Sequence, residues 1–586
     1  MKGHKPSILL LIVTLFLIIL AGCNEPKEEG EKTTNLGGKD IKTQAMEITG
    51  LPEYPQAPER GTNKITADTT ITLADDGITI DGNGASVDKS QVTIAAPGTY
   101  AISGSLSEGQ IVVAENSETD KVKLILDGVS IHTTNSSPIY IKNAAKTVIQ
   151  LNDGSVNILK DEAASGTDGE SEPNAAIFSK DDLKIKGSGS LYLTANCQNG
   201  VNCEDDLKIE DAAIYITAID NGLRGKDSVT IDSGTIIIEA QGNGICTNNM
   251  EDEGKGYIAI NGGHLEITAQ QDCIQAATDL SIMSGSIYTA SGGGVGAANA
   301  TEKQEDDLEQ SDRQGDADPG ANESTTDSVS SKGLKAGFTL NISGGTIVSD
   351  CADSAIYADD AITISGGSLE ISTGYAGIHT NTDLEISGGT IVVNQSHEGL
   401  EAANITISGG KVNLKASGDG IYSAGGNDVP GTAAQGEQEA LTDSSGALNI
   451  NGGTIIVNAE GDGIAVNGNA TIVGGQILVY GPSGDGSSGL DYGGEFIVNG
   501  GTMIVFSTTN KAMGISDASK QKSIFVGLTG KADSVLKVSD SNGKTLVLET
   551  SPKEFGCVMI STPDLTAGMS YNFYLDGENI GAFEAQ

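Results

Sequence analysis

The sequence predicts an all-β fold: a single-stranded parallel β-helix, a solenoid with about 22 residues per coil and a small C-terminal β cap. Three observations carry this. Gly200-Val201, Gly222-Leu223 and Gly244-Ile245 recur every 22 residues, as do Gly333-Leu334, Ala355-Ile356, Gly377-Ile378 and Gly399-Leu400. Apolar and polar residues alternate between these points, as in Asp383-Leu384-Glu385-Ile386, which is the pattern of a half-buried strand. Gly-Gly pairs recur at a fixed place in the unit, at Gly344-Gly345, Gly366-Gly367 and Gly388-Gly389 among others, where a sharp corner needs a positive φ. Leucine-rich repeats share the period, but their Leu-rich consensus is missing, and so is the Gly-Gly-x-Gly-x-Asp unit of calcium-binding rolls.

The elements follow in order. Lys2, His4 and Lys5 precede the short apolar run Ile8 to Leu20, so residues 1–22 read as a signal peptide. Leu20-Ala21-Gly22-Cys23 has the form of a bacterial lipobox, which makes Cys23 the lipidated mature N-terminus and places the protein on the outer face of the cell membrane. Residues 23–63 are polar and form a flexible stalk. The β-helix occupies 64–520. Acidic insertions at 161–173, 302–332 and 425–445 interrupt its period and read as solvated loops. Residues 521–586 lose the period and form the cap.

Composition limits the partners. The full chain carries a formal charge of −45. Removing Lys2 and Lys5 with the signal leaves 32 basic against 79 acidic side chains, or −47. Nucleic acid is excluded as a partner, because phosphate binding needs a basic surface, and cations are favoured. Nothing in the sequence calls for an oligomer, and a monomer is expected. Cys197, Cys203, Cys246, Cys273, Cys351 and Cys557 lack zinc-site spacing and read as small buried residues, with a Cys197–Cys203 bridge as the one option to examine.

A fixed period stacks equivalent residues roughly 4.8 Å apart. Counting from the apolar residue of each repeat, position +4 holds Asp181, Asp205 and Asp227, and position +5 holds Asp182 and Asp206. Stacked carboxylates repel, and a hard cation relieves that repulsion. Position −2 adds Asn199, Asn221, Asn243 and Asp272, with Asp220 beside Asn221. The expected metal is Ca²⁺, held within the set Asp181, Asp182, Asp205, Asp206, Asp220 and Asp227. The alternative is a solvated acidic corner with a structural Asn ladder.

Strand alternation predicts that positions +1 and +3 face outward together. They carry Arg224 and Lys226, then Lys335, Tyr357 and His379. Arg pairs bidentately with carboxylates and Tyr stacks on sugar rings, so this row reads as a groove for an acidic saccharide. Arg224 and Lys226 alternatively serve only to neutralise Asp181, Asp205 and Asp227.

Three stretches resemble a known family: Ser171-Glu172-Pro173-Asn174-Ala175-Ala176-Ile177-Phe178-Ser179-Lys180-Asp181-Asp182-Leu183, Asp220-Asn221-Gly222-Leu223-Arg224-Gly225-Lys226-Asp227-Ser228, and Gly489-Leu490-Asp491-Tyr492. They are similar to the carbohydrate-binding domain-containing family of clostridial surface lipoproteins. The resemblance covers about Lys64 to the C-terminus. It implies a right-handed, pectate-lyase-like β-helix, calcium in the Asp181–Asp227 region, and binding of cellulose or polygalacturonate. The long acidic insertions depart from the family pattern, as does Asn221, where Asp is commoner. Three functions follow as expectations: a membrane-anchored polysaccharide binder, a calcium-dependent pectate-type lyase using Lys226 or Arg224 as base, or a structural or adhesive cell-surface solenoid. The absence of Trp speaks against a stacking-type cellulose binder.

Overall fold

The computed structural model describes residues 46, 48–115, 121–162, 172–297, 330–423, 446–484 and 486–586. The expected signal peptide, Cys23, the first part of the stalk and nearly all of the three insertions lie outside the described residues. Within them the chain is all-β, and the only helical residues are 295–297.

Each repeat contributes three strands. One repeat reads Ile356–Ala358, Ala361–Ile364 and Ser368–Thr373. The next repeat supplies a parallel partner to each: Ile356 pairs with Ile378, Ile362 with Leu384 and Leu369 with Ile391. Three parallel ladders result. One forms a 16-stranded sheet, and the other two belong to a 32-stranded sheet. These two separate at the 13-residue strand Lys121–Thr133. Its first half pairs with Lys146–Leu151 and its second half with Ile158–Asp161. The fork falls at Gly128, where φ is +73° and a Cβ would lie 2.8 Å from the Glu59 backbone. Asn157 Oδ1 accepts the freed Gly128 and Val129 amides at 3.1 and 3.0 Å.

The apolar residue of each repeat points inward. Val201, Leu223, Ile245 and Ile274 stand opposite one another in register and are fully buried. One continuous cluster of such residues runs from Ile71 to Met559. Each buried Leu or Ile contributes about 1.5–3 kcal/mol, repeated along the ladders. The corner glycines answer two different demands. Gly367 has φ +92°, whereas a Cβ on Gly366 would lie 2.3 Å from the Ser343 carbonyl of the preceding repeat.

Beyond the repeats the pairing changes sense. Thr502–Ser507 and Ser523–Gly530 both pair antiparallel with Phe555–Ser561. Val535–Ser539, Thr545–Thr550, Ser570–Leu575 and Glu578–Glu584 form a separate four-stranded antiparallel sheet. A second apolar cluster that includes Leu478, Phe506, Val538 and Phe573 joins it to the last repeats. The Cys197–Cys203 option is corrected: all six described cysteines are free thiols, and the buried Cys203 donates toward the Asp181 carbonyl at 3.3 Å.

Candidate functional site

The site is built on turns that leave the 16-stranded sheet. Strands Ala175–Ser179, Asn199–Cys203 and Leu223–Gly225 are adjacent, with Ser179 opposite Cys203 opposite Gly225. Asp181, Asp205 and Asp227 each follow two residues later, at successive levels of one corner. In the next ladder Leu183 pairs with Leu207 and Asp206 with Ser228, which sets Asp182 beside Asp206. Carboxylate oxygens of Asp182, Asp205 and Asp206 lie within 4.8 Å of one another. Two oxygens that share one Ca²⁺ at roughly 2.4 Å each stand at most about 4.8 Å apart, so the donor set fits a hard cation in chemistry and spacing.

The electrostatics are those of an overcharged corner. Burial pushes Asp205 up to about 6, reinforced by its hydrogen bond with Asp227 and the charges of Asp182, Asp227 and Asp206. Burial also pushes Asp227 up, but hydrogen bonds from Asn249 and Lys255 outweigh it and hold that carboxyl below its usual range. Lys255 supplies the internal compensation. Its Nζ lies 3.1 Å from Asp227, 3.8 Å from Asp206 and 3.9 Å from Asp205. Lys146 pairs with Asp182 at 3.1 Å.

Not all six predicted carboxylates share this corner. Asp181 turns to the side and accepts the Ala144 amide at 2.8 Å. Asp220 precedes its strand whereas Asp227 follows it, so Asp220 sits at the far end, where burial raises its carboxyl. The amides at position −2 are there too, and they are spent on each other. Asn221 Nδ2 donates to Asn199 Oδ1 at 2.9 Å, the Asn243 amide to Asn221 Oδ1 at 2.9 Å, and the Asp272 amide to Asn243 Oδ1 at 3.1 Å. They form a backbone-capping ladder at the strand's opposite end from the acidic corner. The neutralising role considered for Arg224 and Lys226 is also corrected. Arg224 donates to Asn202 Oδ1 and Glu204 Oε1 at 2.9 and 3.1 Å, and Lys226 is exposed with no ion pair among the described residues.

Lys335, Tyr357 and His379 stand opposite one another on three adjacent strands. Arg224 belongs to the same row, three strands away. Tyr357 and His379 rings meet edge to face at 5.2 Å, Tyr375 lies 6.1 Å from His379, and Lys332 Nζ sits 5.0 Å above Tyr357. The outward exposure expected for this row is corrected: Tyr357 is 8 % and His379 4 % exposed. Alternation does turn them away from the core, but large side chains stacked one strand apart cover each other. Burial pushes His379 down to about 4, with the Lys332 charge adding to it. The ring is therefore neutral at pH 7, with Nδ1 3.8 Å from Glu401 Oε2. Tyr357 OH donates to Asp359 at 2.6 Å, and Lys335 Nζ to Asp272 at 3.1 Å.

Two features escaped the sequence reading. Lys255 lies in a longer turn, 247–256, which breaks the 22-residue count. The second is the continuation of position −2 past the long insertion, as Glu398, Asp419 and Asp462. The Asp419 amide donates to Glu398 Oε2 at 2.9 Å, the Asp462 amide to Asp419 Oδ1 at 2.5 Å, and the Ser488 amide to Asp462 Oδ1. Burial pushes all three carboxyls up, and their mutual charge adds to it for Glu398 and Asp419. Carboxyls raised in the folded state bind more protons there than in the unfolded chain, so stability falls as pH rises from the usual carboxylate range through the folded pKa. Glu398→Gln is expected to raise the melting temperature at pH 8 by about 2 °C or more and to leave it nearly unchanged at pH 4. Scanning calorimetry at the two pH values checks this.

A family model described as carbohydrate-binding domain-containing protein matches residues 88–377 and 375–522. A carbohydrate-binding domain-containing protein of Acetivibrio thermocellus is 41% identical over 251 residues, covering 42% of this chain and 87% of its own length. The solved structure of the polysaccharide lyase-like protein from C. thermocellum, in a gadolinium derivative, is similar at 41% identity. It covers 39% of this chain and 92% of that one, with a TM-score of 0.37.

Proposed function

The chain belongs to the carbohydrate-binding domain-containing protein family, and from that premise we propose that it is a calcium-stabilised polysaccharide-binding protein, tethered outside the cell through lipid on Cys23. The fold reading that goes with this is a right-handed, single-stranded parallel β-helix closed at its C-terminal end by the antiparallel segment 521–586. The ligand class is an acidic plant-type glycan such as polygalacturonate, or cellulose. The observation that carries the proposal is the family match over residues 88–377 and 375–522. The candidate contact is the row Lys335, Tyr357 and His379, of which the half-buried Lys335 and the neighbouring half-buried Tyr375 are within a glycan's reach while Tyr357 and His379 lie beneath them. Calcium belongs to the corner formed by Asp182, Asp205 and Asp206, with Asp227 adjoining. A bound cation there supplies charge neutralisation.

Two of the basic groups next to that corner are already engaged, which weighs against cleavage. A lyase base must be within reach of the sugar proton it removes. Arg224 is committed to Asn202 and Glu204 and Lys255 to three aspartates, which leaves the exposed Lys226 as the one candidate base for the absorbance assay to test. The test is incubation of the purified protein with polygalacturonate, with and without a chelator, reading retention and ultraviolet absorbance of unsaturated products together. Retention that calcium strengthens, without absorbance, is expected. Growth of absorbance overturns binding in favour of a lyase, and no retention on either polygalacturonate or cellulose overturns both.

Lys255 gives the calcium reading its own prediction. It sits where a cation is wanted, so it competes with Ca²⁺ and supports the metal-free fold. Lys255→Gln is expected to lower the melting temperature in chelator and to tighten calcium binding about tenfold, or roughly 1.4 kcal/mol. Calorimetric titration and melting in the same buffer read both signs.

A further inference from the structure

The outer face of the 32-stranded sheet near its start carries a second feature, on strands Lys146–Leu151 and Leu183–Lys186, whose opposite ends adjoin the acidic corner at Asp182. Residues 59–66 cross over this sheet, and residues 63–66 roof part of a half-open cavity of about 460 Å³. The crossing is held by polar bonds. The Gly61 amide donates to Asp127 Oδ1 at 2.7 Å, Arg60 pairs with Asp127 Oδ2 at 2.7 Å, and the Thr62 amide donates to the Asp153 carbonyl at 3.0 Å. Asn63 Nδ2 reaches Asp153 Oδ2 at 3.1 Å. The roof is thus fixed at several points over the strands beneath.

Lys64 and Lys123 line the cavity, and Gly187 and Ser188 on its wall put Lys186 at the rim. Register defines the floor. Lys123 pairs with Val148, while Ile125 pairs with Gln150 and Gln150 with Lys186, so Lys186 stands directly beside Gln150 and Lys123 diagonally from it. Lys184 on the same strand as Lys186 is neutralised by Glu210. Lys64, Lys123 and Lys186 have no ion pair among the described residues. That is unexpected in a chain with 79 acidic against 34 basic side chains, where carboxylates are in excess. Lys123 is half-buried, and both burial and the neighbouring Lys186 charge lower its ammonium pKa. The carboxylate in register opposite Lys186 is Glu210, which Lys184 already engages, so Lys123 and Lys186 repel unless an anion is shared between them. The one carboxylate on the wall, Asp153, already accepts from Asn63 and from Ser188 Oγ at 2.6 Å. Gln150 has no side-chain hydrogen bond among the described residues, and Ile65 and Ile125 add an aliphatic surface.

We propose that this cavity is a second saccharide site, one that takes a carboxylate-bearing sugar unit with Lys123, Lys186 and Lys64 on the carboxylate and Gln150 on the hydroxyls. Its volume lies within the roughly 300–1,000 Å³ of small-molecule sites. The inference rests on the carbohydrate-binding reading for its ligand class, but on different residues, a different sheet and no metal. It gives the molecule a contact for acidic glycan that calcium does not control.

The test is titration calorimetry with trigalacturonate in chelator at low salt, with cellotriose and inorganic sulfate as parallel probes and hydrogen exchange to locate the contact. Trigalacturonate is expected to bind, to weaken as salt rises and to protect residues 61–66 and 148–151. Lys123→Gln/Lys186→Gln is expected to weaken it at least tenfold while melting as the wild type does. Equal binding by the variant, equal binding of cellotriose or sulfate, or no trigalacturonate binding in chelator overturns the proposal. If polymer retention fails while trigalacturonate still protects 61–66, the extended-row reading falls and this site stands.

Discussion

Millimolar calcium is expected to raise the melting temperature of the chelator-treated protein, and Asp205→Asn/Asp206→Asn to abolish the increment. The expected size follows from mass action: a ligand at a hundred times its dissociation constant adds about 2.7 kcal/mol to the folded state. The variant separates two consequences of the same charges. Three carboxylates with oxygens within 4.8 Å repel one another, and burial together with those neighbours has already raised Asp205. Removing two charges therefore relieves the metal-free corner, and the variant should melt higher than the wild type in chelator but lower in calcium. A crossing of the two orders is a stronger signature than a loss alone, because simple destabilisation lowers both. Lys255 limits the gain in chelator, since its ammonium partly neutralises Asp205, Asp206 and Asp227 before any metal arrives.

The second large effect is expected at the glycine before the inward apolar residue. A Cβ on Gly399 would lie 2.2 Å from the Gly420 carbonyl and 3.3 Å from Leu414 Cδ1. The carbonyl belongs to the next strand of the ladder and accepts the Leu400 amide at 3.1 Å, so it cannot withdraw without breaking the pairing. Gly399→Ala is expected to cost about 1–3 kcal/mol, the usual range for overpacking. Because stacked repeats contact chiefly their neighbours, the loss should be local. Hydrogen exchange should quicken between about residues 377 and 425 and stay unchanged near residue 200. Uniform quickening along the chain would contradict the nearest-neighbour account.

The repeat was legible because one physical demand recurs: a glycine where two strands approach, then an apolar residue turned inward. The same counting located Asp182, Asp205 and Asp206, since register carries a spacing in sequence into a spacing in space. It missed Lys255, whose turn adds residues between the repeats at Gly244 and Cys273. It stopped at Asp272 along position −2 because Lys332, Ser354 and Ala376 hold that position in the next three repeats, although Glu398, Asp419 and Asp462 take the acidic column up again. Burial of Tyr357 and His379 was not readable, because alternation tells which side of a sheet a residue takes and not what its neighbours cover. The lysine-lined cavity was hidden for another reason. It depends on residues 59–66 meeting strands some 60 to 90 positions later, at Asp127 and Asp153.

The central claim is that register brings Asp182, Asp205 and Asp206 around one calcium ion. A crystal soaked in millimolar calcium, with anomalous differences measured at long wavelength, addresses it most directly. The account predicts a peak about 2.4 Å from oxygens of those three residues, with Lys255 withdrawn from them. A structure with no peak there, or with the strongest peak beside Asp220, would contradict it.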